Sequence, residues 1–405
     1  MTSKRVLVFE AYPFFSGAQK ISLNLCKILK ENNYAVTLLL ADNQLNVLPG
    51  KFGPYVDDVI VAPTNKKLLK YNNSSRWFNP LNFINSFFSG LLPFYFFCFK
   101  VFKNKKFDFF YFCDPRGATM ILPPAFFFRG KKVLYLQSKN RLKPLISKLL
   151  YLIIPNYVVS ASTDVADTVP PSSKKIVINY GIDYTQYGGV NKANAVKEIE
   201  DITALPYSLG NGPARFLYAG LIKPQKGLHH LIYALGKLKK DEPSIELPFL
   251  FILGSTQTDA ENLYRENLKQ YCLENNLNKN VFWLGFKNNV LEWMSSCDYL
   301  IFPTINREKC TFEGFDEYIE STEGSPTVLI ESSLCNLFAV AATVTGVNEI
   351  ITDGANGLKY NPDDELALYN TLKYVLVNRP VFTGFPNKAI FSVETFAAKF
   401  LNLFK

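Results

Sequence analysis

The sequence predicts an α/β chain of two domains, each a parallel sheet covered by helices. Three observations carry this. A length of 405 residues exceeds one ordinary domain, so two of roughly 200 residues are expected. Short apolar runs alternate with stretches whose apolar residues repeat at helical spacing, the pattern of strand–helix–strand units. The rhythm pauses over the polar, glycine-containing residues 184–213, which read as a linker, and then restarts. With 48% hydrophobic and 20% charged residues the chain can bury large cores and is not disordered. No tandem repeat of solenoid length is present.

In the first half, residues 5–10 form a short apolar strand and Ser16-Gly17 a turn. Ile21, Leu25, Ile28 and Leu29 then mark one helix face. Strands are predicted at 35–40, 107–112, 132–137 and 157–160, and one ending in a turn at 177–183. Strand, helix and strand in alternation imply a parallel sheet covered on both faces. This places the first domain at 1–190. In the second, 205–391, strands are predicted at 215–220, 248–253, 281–285, 299–303 and 338–342. A helix carries Leu228, Leu231, Ile232, Leu235 and Leu238 on one face. Further helices are expected at 260–275, 290–295, 347–352 and 365–377, and a closing one at 393–404.

Composition excludes several chemistries. The seven cysteines are odd in number and scattered without a Cys-x-x-Cys, which argues against a disulfide framework or zinc site and fits a reducing cytoplasm. His229 and His230 are the only histidines, which leaves little room for histidine catalysis or a His-ligated metal; no metal or other cofactor is expected. Both sit on the Leu228–Leu238 helix face and are expected to be structural. The N-terminus enters a strand directly, without a signal-peptide pattern.

The net charge of +9 is unevenly spread. Residues 1–155 hold 22 Lys and Arg against 7 Asp and Glu, and the remainder 22 against 28. No acidic residue occurs between Asp58 and Asp108. The first half therefore suits an anionic partner: lipid, a lipid-linked phosphate, or nucleic acid. Within it, residues 71–112 are crowded with aromatics, including Trp77, Phe78, Phe83, Phe87, Phe88, Phe94, Phe96, Phe97 and Phe99. The most apolar run, Phe87 to Phe99, is shorter than the ~20 residues of a membrane span and contains Gly90 and Pro93. Lys66, Lys67, Lys70 and Arg76 flank it on one side, and Lys100, Lys103, Lys105 and Lys106 on the other. That suits an interfacial element on anionic lipid; the plainer reading is a core helix with basic ends.

Two carboxylates stand out. Glu323 precedes Gly324-Ser325-Pro326-Thr327-Val328, and Glu331 follows with seven residues between the two. Ser325 is a good helix N-cap and Pro326 a good first helical residue, so Glu323 lies in a loop and Glu331 about a turn and a half into a helix. Carboxylates suit sugar hydroxyls, and free N–H groups at a helix start suit phosphate. Glycines end strands in both halves, at Gly17-Ala18-Gln19 and at Gly220-Leu221-Ile222-Lys223-Pro224-Gln225-Lys226-Gly227. Neither has G-x-G-x-x-G spacing, so a dinucleotide site is poorly supported. Taken singly, Gly17 is a turn glycine, Lys226 a surface lysine, and each glutamate an ordinary acid.

Together with Lys226 and the run from Asn348 to Leu358, the pattern resembles the retaining glycosyltransferases of family 4, or group 1, which have the GT-B fold. The resemblance is close over 214–379 and covers the first half in outline, through the first strand and Gly17-Ala18-Gln19. It implies two facing Rossmann-like domains with parallel sheets and a cleft between them, and a closing helix (392–405) that returns to the first domain. By resemblance, Glu331 binds the ribose of a UDP- or GDP-sugar and Glu323 the donor sugar. Ser325, Pro326, Thr327 and Val328 meet sugar and diphosphate, Lys226 neutralises the diphosphate, and the backbone at Phe286 and Lys287 meets the base. Gly17 and Ala18 lie toward phosphate or acceptor. The implied reaction is metal-free hexosyl transfer with retention, the leaving phosphate helping to deprotonate the acceptor. The acceptor is then a glycan or a polyprenyl-diphosphate-linked glycan in bacterial surface polysaccharide synthesis, at the cytoplasmic face of the plasma membrane.

The chain departs from the family pattern at named places. Leu221 replaces an arginine, with Lys223 as the available substitute. Gln137 replaces a histidine. Asn336 and Phe338 replace a glycine and a proline. An insertion, residues 305–322, precedes Glu323 and carries Glu313-Gly314-Phe315, a decoy whose register fails at Ser321. Competing classes are weaker: a GT-B epimerase lacks histidine candidates, a non-catalytic subunit rests on Leu221 and Gln137, and a nucleic-acid binder lacks any recognition motif.

Overall fold

The computed structural model describes residues 3–405 except 14, 16, 42–45, 64–86, 114, 141–143, 173, 208–211, 313–314 and 316. Ser16, the basic and aromatic residues from Lys66 to Phe83, and the decoy Glu313-Gly314 lie outside the described residues. Contacts divide the chain into two units: Met1–Gly181 with Ser392–Lys405, and Ile182–Phe391.

The first unit holds β1 (Arg5–Glu10), β2 (Ala35–Leu40), β3 (Asp58–Val61), β4 (Phe109–Cys113), β5 (Lys131–Leu136), β6 (Tyr157–Ser160) and β7 (Lys175–Val177). They pair in the order β3-β2-β1-β4-β5-β6-β7, all parallel. Alternation along β1 splits its side chains between the two faces. Val6 and Val8 join one buried cluster, Leu7 and Phe9 the other. Helix Gly17–Glu31 covers the first face through Ile21, Leu25 and Leu29. The closing helix, Val393–Leu403, lies on that face too, with Phe396 and Phe400 in the cluster and Phe404 just beyond. Gly181 is required where it docks, since a Cβ there would stand 2.5 Å from Phe396 Cβ. Helix Leu92–Asn104 covers the second face, burying Phe94, Cys98 and Val101.

Helix Leu92–Asn104 is the segment over which the two sequence readings differ. One side is core, as the plainer reading has it, while Phe96 on the other side is 64% exposed. No described helix is long and apolar enough to cross a membrane. All seven cysteines are free thiols.

The second unit holds β8 (Arg215–Ala219), β9 (Phe249–Leu253), β10 (Val281–Gly285), β11 (Tyr299–Phe302), β14 (Phe338–Ala342) and β15 (Gly357–Tyr360). Their order is β10-β9-β8-β11-β14-β15, again all parallel, around a single core. β12 (Arg307–Cys310) and β13 (Glu317–Glu320) form an antiparallel hairpin apart from the sheet. This hairpin is the insertion that precedes Glu323. The stretch 184–213 is not a plain linker. Helix Ala193–Thr203 forms there, and Ala195 and Ile199 enter the second unit's core. Two apolar residues four apart were too thin a signal against the polar background.

Candidate active site

In both sheets the strand order reverses beside the first strand, at β1/β4 and at β8/β11. Open parallel sheets bind ligands at the carboxyl ends of strands at such reversals. In the second unit that point is where Gly220 and Lys226 follow β8. Gly220 N–H donates to Leu253 O at 3.0 Å and Ile222 N–H to Ser255 O at 3.0 Å, tying the loop to the end of β9. A 3-10 turn, Pro224–Lys226, ends at Gly227, whose φ is +66°. A Cβ at Gly227 would lie 1.9 Å from Pro303 O, at the end of β11. Only glycine lets the loop sit against that strand.

This seats the Lys226 ammonium on the Glu323 carboxylate as an ion pair. Lys223 is half-buried in the same loop, and burial with the neighbouring Lys226 charge lowers its pKa against the pull of Glu261 and Glu323. The loop thus offers two cations, although Leu221 stands where the family carries an arginine. Burial raises the Tyr218 phenol, with Glu323 adding to it, so Tyr218 stays neutral and donates to Leu221 O at 2.7 Å.

The loop bearing Glu323 is held from behind. Gly346 has φ +82°, and a Cβ there would meet Gly324 O at 2.3 Å and Ser325 Cα at 2.9 Å. Helix Thr327–Leu334 begins after this loop with Pro326 at its N-cap and no side-chain cap. Ser325 is therefore one residue too early to cap, contrary to expectation. Its hydroxyl is buried and has no hydrogen-bond partner among the described residues. Gln225 Oε1, Thr304 Oγ1 and Thr345 Oγ1 are buried and unpartnered as well. Each costs about 1–3 kcal/mol unless something fills its lone pairs. All four lie on residues next to, or two along the chain from, the close contacts of Gly227 with Pro303 and of Gly346 with Gly324. Sequence reading missed Gln225, Thr304 and Thr345, since none has a motif.

Thr327 and Val328 supply first-turn N–H groups, which have no acceptor within the helix. Glu331 follows one turn later and accepts a hydrogen bond from the Tyr187 hydroxyl. Burial first, then the Glu331 charge, pushes that phenol upward. Tyr187 lies in the stretch read as linker, which is why it was overlooked. Buried Asn356 braces the helix by donating to Ser333 Oγ (2.9 Å) and Ile350 O (2.8 Å), so the Asn348–Leu358 run serves as scaffold. At the end of β10, Phe286 is 72% exposed, and the Lys287 ammonium pairs with Glu198 of helix Ala193–Thr203.

In the first unit, Gln137 Nε2 donates to Ala18 O at 3.4 Å, which brings these two together after β5 and β1. Gly17 opens its helix with free space where a side chain would be. Beneath them Gln19 Nε2 donates to the buried Glu10 carboxylate at 3.1 Å.

The histidines lie elsewhere. His229 and His230 present Nε2 to the two carboxylate oxygens of Glu308, on β12, at 2.8 and 2.6 Å. Tyr264 Oη accepts from His229 N–H (3.1 Å) and lies 2.8 Å from His229 Nδ1. Burial keeps Tyr264 neutral, so its proton is free for Nδ1, and the His229 proton then sits on Nε2 toward Glu308. Among the described residues these three are a group with metal-ligand potential, but their donors and acceptors already answer one another. They clasp the inserted hairpin to the helix, a structural use.

Residues 206–388 match the family model for glycosyl transferases group 1. The second unit belongs to that family. The chain is also 28% identical, over 62% of its length, to N-acetylgalactosamine-N,N'-diacetylbacillosaminyl-diphospho-undecaprenol 4-alpha-N-acetylgalactosaminyltransferase of Campylobacter jejuni. It is 25% identical over 44% of its length to the capsular polysaccharide biosynthesis glycosyltransferase CapH of Staphylococcus aureus. These matches span 60% and 44% of the relatives' own lengths. The crystal structure of Anabaena Alr3699/HepE in complex with UDP superposes over 99% of both chains with a TM-score of 0.74 at 16% identity. That likeness extends the fold to the whole chain: two parallel-sheet, Rossmann-like domains, the GT-B arrangement of elements. In the second unit the Lys226–Glu323 pair ties the loop after β8 to the loop before the helix Thr327–Leu334, which carries Glu331.

Proposed function

We propose that this chain is a retaining hexosyltransferase that uses a nucleotide-diphosphate sugar. The observation that carries the reading is the Lys226–Glu323 pair, with Glu331 one turn into the helix that follows the Glu323 loop, in a unit that matches the group 1 model. Glu331 takes the ribose hydroxyls and Glu323 the sugar hydroxyls, while first-turn N–H groups at Thr327 and Val328 meet the diphosphate. Ser325 Oγ, Thr304 and Thr345 find partners in the bound donor or its water. Phe286 and Lys287 offer backbone to the base. As the bond from the anomeric carbon to phosphate breaks, Lys226 and Lys223 offset the charge gathering on the diphosphate. The new bond forms on the same face, and the acceptor proton passes to the departing phosphate oxygen. No metal and no protein base is needed.

The HepE neighbour binds UDP, which favours UDP over GDP. The Campylobacter relative is named for a lipid-linked acceptor and the Staphylococcus relative for capsule synthesis. With the basic, aromatic first unit, these favour a polyprenyl-diphosphate-linked glycan acceptor on the cytoplasmic face of a bacterial membrane, met through Gly17, Ala18 and Gln137.

The test is calorimetric titration of wild type and Glu331→Ala with UDP, GDP and a panel of their sugars. Wild type is expected to bind one nucleotide sugar, and the variant to bind it at least about tenfold more weakly, a loss of ~1.4 kcal/mol. Folded wild type that binds no nucleotide overturns the reading and leaves a non-catalytic subunit on this fold.

A further inference from the structure

Helix Leu92–Asn104 shows the sheet Phe94, Cys98 and Val101. Three and four residues along its opposite side come Phe96, Phe99, Lys100 and Lys103. Beside it, the helix Pro115–Phe126 ends in Phe126 with Phe127 just beyond, and the two are 58% and 63% exposed. The rings of Phe99 and Phe127 meet edge-on at 5.3 Å, and those of Phe126 and Phe127 at 5.3 Å. Two elements therefore build one exposed aromatic cluster. A groove of about 800 Å³ beside it is lined by Lys103, Lys106 and Arg129 together with Phe99, Phe102 and Phe127.

The charges around this cluster are mostly positive. Lys105 is neutralised by Asp58, and Lys131 lies 5.7 Å over the Phe109 ring. Asp108 is the acid in the groove, and it accepts from Arg5 N–H at 2.8 Å. Lys100, Lys103, Lys106 and Arg129 are exposed and form no ion pair among the described residues. Exposed Phe in contact across two elements is what a soluble surface avoids, and a rim of unpaired cations completes an interfacial signature. The exposed aromatics are Phe, with no polar tip to satisfy, so they suit the acyl boundary better than a hydrogen-bonding partner.

We propose that this aromatic and cationic patch is a docking surface for an anionic lipid bilayer. It deepens the membrane partner of the reading above and stands on its own observations. The test uses the full chain with vesicles of phosphatidylcholine, with and without phosphatidylglycerol, in a sedimentation assay. Wild type is expected to bind the anionic vesicles at least about tenfold more tightly than the neutral ones. Phe126→Ser with Phe127→Ser, and separately Lys103→Glu with Lys106→Glu, are expected to lose that binding while melting and nucleotide titration stay as in wild type. As a second measurement, Phe127→Trp is expected to shift its fluorescence to the blue on anionic vesicles alone. Wild-type binding by both double variants, equal binding to neutral vesicles, an unshifted Trp, or tighter binding to RNA than to vesicles at one salt concentration overturns the proposal. Vesicle binding by a chain that binds no nucleotide would leave this surface standing and sink the transferase reading instead.

Discussion

At the residue scale the candidate site depends on side chains that are absent as much as on those present. Gly227 and Gly346 hold left-handed backbone while standing against the carbonyls of Pro303 and Gly324. The first places the Lys226 loop and the second the Glu323 loop. Replacing Gly346 by Ala adds an unfavourable φ and a Cβ clash with backbone that cannot rotate away. The expected cost is about 1–3 kcal/mol, seen as a lower melting temperature, with donor affinity falling as the Glu323 loop moves. A variant that melts like wild type and binds nucleotide normally would show that the loop does not rest on Gly346. The glutamates and Lys226 were legible in sequence because their order and spacing are distinctive. Gln225, Thr304, Thr345 and Tyr187 were not, since a buried orphan atom or a hydrogen bond from a distant segment leaves no local pattern.

At the element scale the inserted hairpin is the part with its own chemistry. β12 is bound to the helix Leu228–Asp241 through Glu308, His229 and His230. Burial opposes ionisation of Glu308, but the hydrogen bonds from both histidines outweigh it, and its carboxyl is held at about 2. Burial lowers His229, so the neutral ring is the folded form. A histidine lowered on folding lends stability that is complete above its unfolded pKa, about 6.5, and lost as pH falls below it. Tyr264, His230 and Glu308 are the titratable groups facing it. Melting is therefore expected to fall from pH 7 to 5.5 with a slope of at most about 1.4 kcal/mol per pH unit, and His229→Gln to flatten that slope. The two histidines are the only side chains with ordinary pKa values in that window, which keeps the test clean. An unchanged slope would remove His229 from the clasp. The hairpin itself was read as an insertion of unassigned structure, because four-residue strands of mixed polarity carry little periodic signal.

At the scale of the molecule, the chain leaves its first unit and returns to it. Phe396, Phe400 and Phe404 of the C-terminal segment complete the cluster that Val6, Tyr111 and Tyr135 begin. The Phe400 ring meets Tyr135 at 5.5 Å and Phe396 at 4.6 Å. Phe400→Ala is expected to cost about 3–5 kcal/mol and to lower the melting of the first unit while the second holds. Calorimetry of the full chain with a saturating nucleotide, which raises only the unit that binds it, resolves the two. A single transition moved as a whole would mean that the units melt together. The α/β class, most strands and the closing helix were determined by the sequence alone, because apolar period is a local property that burial on two sheet faces enforces. The strand orders, the reversal points and the gathering of Lys223, Lys226 and Glu323 were decided only by tertiary structure. Which strand ends become neighbours depends on pairing across the sheet, and no interval along the chain encodes it.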